Sequence, residues 1–443
     1  MALEDRGPGG ACGSDDTAIP YNQALMRRQA RIPLEQRRLQ NGLWVVVSED
    51  HSHPLVSVQV WYRVGSRNEH EGITGVSHLL EHMMFKGTER LGPEEFSQIV
   101  QRMGGVDNAF TSFNMTAYWS EVPSRHLETL LQMEADRMAN AVFREFEEEK
   151  AVVLEERRLS ENSPWDAFFD TFQATALQAH PYRNPIIGWR SDVERLTLED
   201  VQRHYRTYYA PSNALLLVVG DVRPEEVFAL AEKHFGPIHR PVQVPEVRTQ
   251  EPPQQGERRF RLYRPGPLTL VGVGYHIPRY RDPAFPAVHL LSEVLVSGRS
   301  ARLYRQLVME AGVASSVGLW TDWISIDPFI VVFYAVVQPG TPPEEVERRM
   351  IQEIEGMGSE RPVSQAELDR VRNRVVLAFY HGQQTMAGKG MLIGEFAIVE
   401  DPEAVNRYLD RLEAVTPEQA QQVAQRYFRE RNRTVGYLLE GTP

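Results

Sequence analysis

The pattern of apolar and polar positions changes period several times along the chain. Leu43-Trp44-Val45-Val46-Val47-Ser48 is a short apolar run, and Val56-Ser57-Val58-Gln59-Val60-Trp61-Tyr62 alternates with period two; both predict strands. Between Thr74-Gly75 and Lys86-Gly87 the chain has no Pro or Gly, which predicts a helix of a few turns. A second helical stretch runs through Ala151-Val152-Val153-Leu154, set in an acidic segment that contains Glu145, Glu147, Glu148, Glu149, Glu155 and Glu156.

Near the middle the pattern lapses. Five prolines (Pro237, Pro241, Pro245, Pro252, Pro253) with few large apolar residues mark an extended linker, taken as 238–258. The flanking halves resemble each other. Thr197-Leu198-Glu199-Asp200, Tyr208-Tyr209 and Asn213 recur as Thr416-Pro417-Glu418-Gln419, Tyr427-Phe428 and Asn432, each 219 residues later. Each copy reads as a Thr N-cap, an amphipathic helix, an aromatic pair and a strand (Ala214 to Val219; Thr434 to Leu439). The expected fold class is therefore α+β, two homologous α/β-sandwich domains made by internal duplication, at 34–237 and 259–443. Residues 1–33 mix Gly, Pro, Asp and Arg without a period and read as a poorly ordered leader.

The 443 residues, 42% hydrophobic and 24% charged, suit a globular chain with sizeable cores. With 48 Lys and Arg against 60 Asp and Glu the net charge is −12, which opposes binding to nucleic acid or anionic membrane. The single cysteine, Cys12, can make neither an internal disulfide nor a thiolate cluster, so a metal here needs His and carboxylate ligands. No run of 18 apolar residues supports a membrane span, and with no apolar signal segment the expected location is cytoplasmic.

Candidate chemistry sits on the first helix, His78-Leu79-Leu80-Glu81-His82. At about 100° per residue, His78, Glu81, His82 and Phe85 share a face, and imidazoles four residues apart can chelate one Zn²⁺ per chain. Glu81 then lies close enough to take a proton from water. The bland reading is a solvated His/Glu face. A third ligand is expected from the second helix, where Glu149 and Glu156 fall within the stripe of Val152 and Val153 while Glu148 and Glu155 point away. Two acids on an apolar stripe are costly without a partner, and a divalent cation is one. His289-Leu290-Leu291-Ser292-Glu293 departs from this spacing and reads as an ordinary half-buried histidine.

Taken together, Gly75-Val76-Ser77-His78-Leu79-Leu80-Glu81-His82-Met83-Met84-Phe85-Lys86-Gly87-Thr88, the Glu149–Glu156 pair and Gly104-Gly105-Val106-Asp107-Asn108-Ala109-Phe110-Thr111 resemble the pitrilysin/insulinase family, the inverted H-x-x-E-H zinc metallopeptidases. The half-size bacterial and processing-peptidase branches are the most similar, over nearly everything after the leader. The resemblance implies a metalloenzyme with a processing-peptidase-like fold that acts as an endopeptidase on unstructured peptides in a closed chamber. It assigns Glu156 as third ligand and Glu149 as its catalytic neighbour. Asn108, Ala109, Phe110 and Thr111 become a sheet edge that pairs with the substrate backbone; they also fit an ordinary strand.

The resemblance breaks in one place. Where the family has an Arg and, seven residues later, a Tyr that bind the substrate carbonyl, this chain has Val308 and Ser315. That implies a heterodimer in which a metal-free homologue brings the Arg/Tyr pair. A homodimer, or a shifted alignment in which Arg302 or Arg305 and Tyr304 substitute for the pair, stays open, as do a non-catalytic assembly subunit and a peptide-binding module of the same fold.

Overall fold

The computed structural model describes residues 31–441; the leader up to residue 30, with Cys12, lies outside the described residues. The first sheet comprises Glu35–Arg38 (β1), Trp44–Glu49 (β2), Leu55–Tyr62 (β3), Val106–Thr111 (β4), Thr116–Pro123 (β5) and Ala214–Gly220 (β6), ordered β1-β2-β6-β3-β5-β4. The second comprises Arg258–Arg264 (β7), Leu270–Ile277 (β8), Ala314–Thr321 (β9), Phe329–Val337 (β10) and Arg433–Glu440 (β11), ordered β7-β11-β8-β10-β9. Without β1 the two orders are identical. In each, the first pair is parallel (β2 with β6, β7 with β11) and the others are antiparallel.

Each β3 residue has a reason for its side. Val56, Val58 and Val60 face a core that includes Leu79, Leu80 and Met83 of Val76–Met83 (α1). The polar side, Ser57 and Gln59 with Trp61, is equally buried. It is satisfied within itself: Trp61 Nε1 donates to Gln59 Oε1 at 3.0 Å, and Gln59 Nε2 donates to Ser57 Oγ at 3.2 Å and to the Ala387 carbonyl at 3.0 Å.

That last contact shows how the halves interlock. Phe146–Asn162 (α2) stays with the first half, but Pro164–Ala176 (α3) crosses to the second sheet, where Phe168 and Phe172 lie over Gly272, Gly274 and Gly436. Leu198–Tyr208 (α4) returns to pack on α1. In exchange, Met386–Val399 (α5) of the second half covers β3 and β6. The approach is close: a Cβ on Gly394 would stand 2.1 Å from the Trp61 ring.

The repeat seen in sequence has the same local bonding in both copies. Thr197 caps α4 through Asp200 N and Thr416 caps Pro417–Tyr427 (α6) through Gln419 N, each in a reciprocal capping box. Asn213 Nδ2 donates to the Tyr208 carbonyl at 2.9 Å, and Asn432 Nδ2 to that of Tyr427 at 2.7 Å. Between Gly236 and Glu257 there is no regular element, yet Glu251 pins the segment by accepting from the backbone N–H groups of Gln178, Ala179 and His180. Among the described residues no helix is long and apolar enough to cross a membrane.

Candidate active site

The site is built on the entry to α1. Gly75, with φ +88°, turns the chain so tightly against Ile187 that a Cβ would lie 2.5 Å from its carbonyl oxygen. Glu69, almost fully buried, then caps the helix: Oε2 accepts from Gly75 N at 2.7 Å and Oε1 from Ser77 N at 2.8 Å. Burial lifts its pKa to about 8 against these bonds. Ser77 Oγ is 3.0 Å from Nε2 of His204 on α4, whose ring burial keeps neutral, with a pKa of about 3. This clamp fixes the register of the next turn, which carries His78, Glu81 and His82.

Opposite α1, α2 presents Glu149 and Glu156. Glu156 Oε2 is 3.8 Å from His78 Nε2 and 3.6 Å from His82 Nε2, and one ligand atom from each of the three residues lies within 4.8 Å of the others. These separations exceed hydrogen-bond length and are close to those between neighbouring tetrahedral ligands about 2.0–2.2 Å from one Zn²⁺. His78 is depressed to a pKa of about 3 by burial and by His82, so it is neutral, as a metal-ligating imidazole must be. Its Nδ1 is buried without a partner among the described residues. Two imidazoles and a carboxylate fit a divalent zinc ion with an open fourth position.

Glu149 is oriented differently. Its Oε1 is 2.9 Å from His82 Nδ1, the ring nitrogen away from Glu156, and its Oε2 accepts from Lys86 Nζ at 2.7 Å. Burial alone raises its pKa, but Lys86 and His82 more than offset that and hold it below the usual carboxylate range. Glu149 thus braces the His82 ring from the side away from Glu156 and stands outside the three-residue cluster. The helical-wheel stripe needs correction: Val153 is fully buried, whereas Val152 is 46% exposed. What Glu149 and Glu156 share is the face of α2 turned to α1.

Glu81 is buried enough to raise its pKa, and its Oε2 accepts from Thr111 Oγ1 at 2.6 Å. Thr111 ends β4, the edge strand of the first sheet; Asn108 is exposed on it, Ala109 lies on the same side as Thr111, and Phe110 turns the other way to meet Trp61 edge-to-face at 5.4 Å. A cleft of about 770 Å³ joins His78, Glu81, Ala109 and Thr111 to Trp320 and Asp322 of the second half. The structure therefore brings His78, Glu81, His82, Glu149, Glu156 and the β4 edge together. Lys86, Glu69 and His204 were missed by the sequence reading; Lys86 lies just past the end of α1, in the turn that follows His82, and its closeness in sequence to the motif was the one signal within reach.

Among the described residues lining this cleft Val308 and Ser315 do not appear, and Ser315 Oγ donates to the Val336 carbonyl at 3.4 Å. Arg302 is engaged elsewhere, with Glu367 at 2.7 Å and with the Arg361 and Pro362 carbonyls, and Arg305 pairs with Glu310. His289 is a buried histidine, its Nδ1 3.0 Å from Tyr408 Oη, and it belongs to no three-ligand cluster among the described residues.

Fold and site together define a class: a duplicated α+β chain with a candidate divalent-metal centre on an H-x-x-E-H helix beside an open sheet edge. Comparison with known proteins agrees. The family model described as "Insulinase (Peptidase family M16)" matches residues 44–189, and "Peptidase M16 inactive domain" matches 195–375. The chain is 32% identical to "Zinc protease PqqE" of Helicobacter pylori over 94% of its length and 95% of the relative's. A crystal structure of a protease from Helicobacter pylori, 31% identical, superposes with a TM-score of 0.86 over 92% of this chain and 99% of that one. The "Probable mitochondrial-processing peptidase subunit beta" of Arabidopsis thaliana is 30% identical over 62% of this chain and 52% of its own. The chain belongs to the peptidase M16 (insulinase) family.

Proposed function

We propose that the chain is a zinc-dependent endopeptidase that cleaves unstructured peptides bound as an added strand on β4. The observation that carries this is the convergence of His78, His82 and Glu156 beside a Glu81 that is itself hydrogen-bonded to the edge strand. His78, His82 and Glu156 hold the metal, with Glu149 fixing the orientation of the His82 ring. Zinc, when bound, supplies Lewis acidity toward the scissile carbonyl and acidifies water. Glu81 takes the proton from the attacking water and returns it to the leaving amine. Burial, which raises its proton affinity, suits it to both transfers. The backbone of Asn108 to Thr111 aligns the substrate through strand pairing, which tolerates many sequences.

Val308 and Ser315 supply no donor for the substrate carbonyl, so we assign this chain the zinc-bearing role in a heterodimer with a metal-free homologue that carries the Arg/Tyr pair; a homodimer is the alternative assembly. Among the described residues the cleft is lined by no Arg or Tyr of this chain. The test is hydrolysis of an internally quenched unstructured peptide, with and without chelator, by the chain alone and mixed with a homologue that has the Arg/Tyr pair. Chelator-sensitive cleavage appearing only in the mixture is expected. Full activity of the chain alone overturns the obligate heterodimer, and activity indifferent to chelator overturns the zinc chemistry.

A further inference from the structure

Behind Phe110 the cleft continues into a second cavity of about 660 Å³; Phe110, Phe113, Ile186, Thr321 and Asp322 belong to the walls of both. Alternation along β4 explains why it matters. Thr111 reaches Glu81 on the α1 side, whereas Phe110 lies against Trp61 on the opposite side. A peptide paired to β4 alternates in the same way, so every second side chain leaves the catalytic face and points toward this cavity.

The cavity is apolar in its walls and acidic in its polar groups. Phe379, Phe396 and Trp323 line it, together with three carboxylates, Glu293, Asp322 and Glu395, against one guanidinium, Arg374. Arg374 is exposed and donates to Ser297 Oγ at 2.8 Å. His289 adds no charge, because burial depresses its pKa to about 4. Glu293 Oε1 is 3.9 Å from Nε2 of that neutral ring, and Asp322 accepts from Asn114 Nδ2 at 3.3 Å. Glu395, projecting from α5, has no hydrogen bond or ion pair among the described residues. Burial lifts Asp322 to about 6 and Glu395 to about 7, each by desolvation first. Carboxylates held this way are relieved by an entering cation.

We propose that this cavity is a subsite for a lysine or arginine side chain of the peptide substrate, with the aromatic walls taking its aliphatic stem and Glu395 and Asp322 receiving its charged head. The proposal rests on the endopeptidase reading and adds a substrate class to it. None of its acids belongs to the metal-binding helices.

The experiment uses unstructured peptides that differ at one scanned position, lysine against its uncharged near-isostere norleucine. With the active full-length enzyme, the Lys/norleucine ratio of kcat/KM is expected to exceed tenfold at one register position and to fall toward one in Glu395→Gln and Asp322→Asn. Glu293→Gln, on another wall, gives the same readout if either variant does not melt cooperatively. A wild-type ratio near one at every position, or a ratio unchanged in the variants, overturns the subsite. Binding of the same peptides to the Glu81→Gln chain separates the two levels. Selective binding that the variants abolish, without any hydrolysis by wild type, supports the subsite while refuting the endopeptidase; hydrolysis without selectivity refutes the subsite alone.

Discussion

The hydroxyl of Thr111 donates to Glu81 Oε2 at 2.6 Å, tying the last residue of the open edge strand to the carboxylate between the two histidines. Strand and base are thus one mechanical unit. Thr111→Val removes the donor at nearly constant volume and should lower kcat/KM about tenfold or more, the scale of losing a hydrogen bond to a charged group. Thr111→Ser should restore most of it. Zinc content, measured by atomic emission, should be unchanged in both; loss of zinc in Thr111→Val would show that the residue supports the metal instead.

Glu156 and Glu149 lie on the same helix face but should fail differently. Glu156→Ala removes one of the three proposed ligands and should leave the purified chain with substoichiometric zinc. Glu149→Gln keeps all three ligands and loses the charged partner of His82 Nδ1, so zinc should bind about 10–100-fold more weakly. Competition with a chromophoric chelator distinguishes the two. Equal affinities would remove the distinction between ligand and support.

Glu69 makes a pH prediction for stability. Its pKa is raised from 4.5 to about 8, first by burial. A carboxyl whose folded pKa is raised contributes stability that is fully present below about pH 4.5 and is lost as the pH rises through 8. Urea unfolding midpoints should therefore fall between pH 5 and 9 by more in wild type than in Glu69→Gln, which cannot ionise. Parallel pH profiles would mean that Glu69 is not the group responsible.

Arg302 offers the opposite kind of test. Its contacts to Glu367, Glu353 and two carbonyls make it a brace of the second half, and Glu367 is held to a pKa of about 2 despite burial, chiefly by Arg302. Arg302→Ala should lower the melting temperature at pH 7, with the penalty shrinking as the pH drops from the ordinary carboxylate range toward 2. The zinc-bound enzyme should keep its kcat/KM for peptides. A selective loss of peptide turnover with normal stability would make Arg302 the missing carbonyl donor.

Much of this was legible in the chain, for identifiable reasons. H-x-x-E-H spacing fixes three groups on one helical face before any tertiary contact forms, and the Thr197 and Thr416 caps are local, so both appear in the fold as read. Val152 was misplaced because a wheel shows which residues share a direction and says nothing about where the packing ends; α2 buries Val153 and leaves Val152 in solvent. The alternation of Val56 to Tyr62 announced a strand, but not that its polar face would be sealed by a helix from more than 320 residues later. That helix exchange is set by Gly394 against Trp61 and by Phe168 over Gly272, pairings between distant segments that no local period encodes. The acid-lined cavity behind Phe110 is hidden for the same reason, since Glu293, Asp322 and Glu395 come from three separate segments, two helices and the loop after β9.

In the proposed mechanism Glu81 moves protons at a zinc centre held by His78, His82 and Glu156. Glu81→Gln is near-isosteric and spares all three ligands. The decisive measurement is its kcat/KM on an unstructured peptide beside wild type, at matched zinc content and with the same partner. This mechanism predicts full zinc occupancy with turnover reduced by about a thousandfold or more, within the range of general-base catalysis and lost electrostatic stabilisation combined. Turnover within threefold of wild type at equal zinc would contradict it.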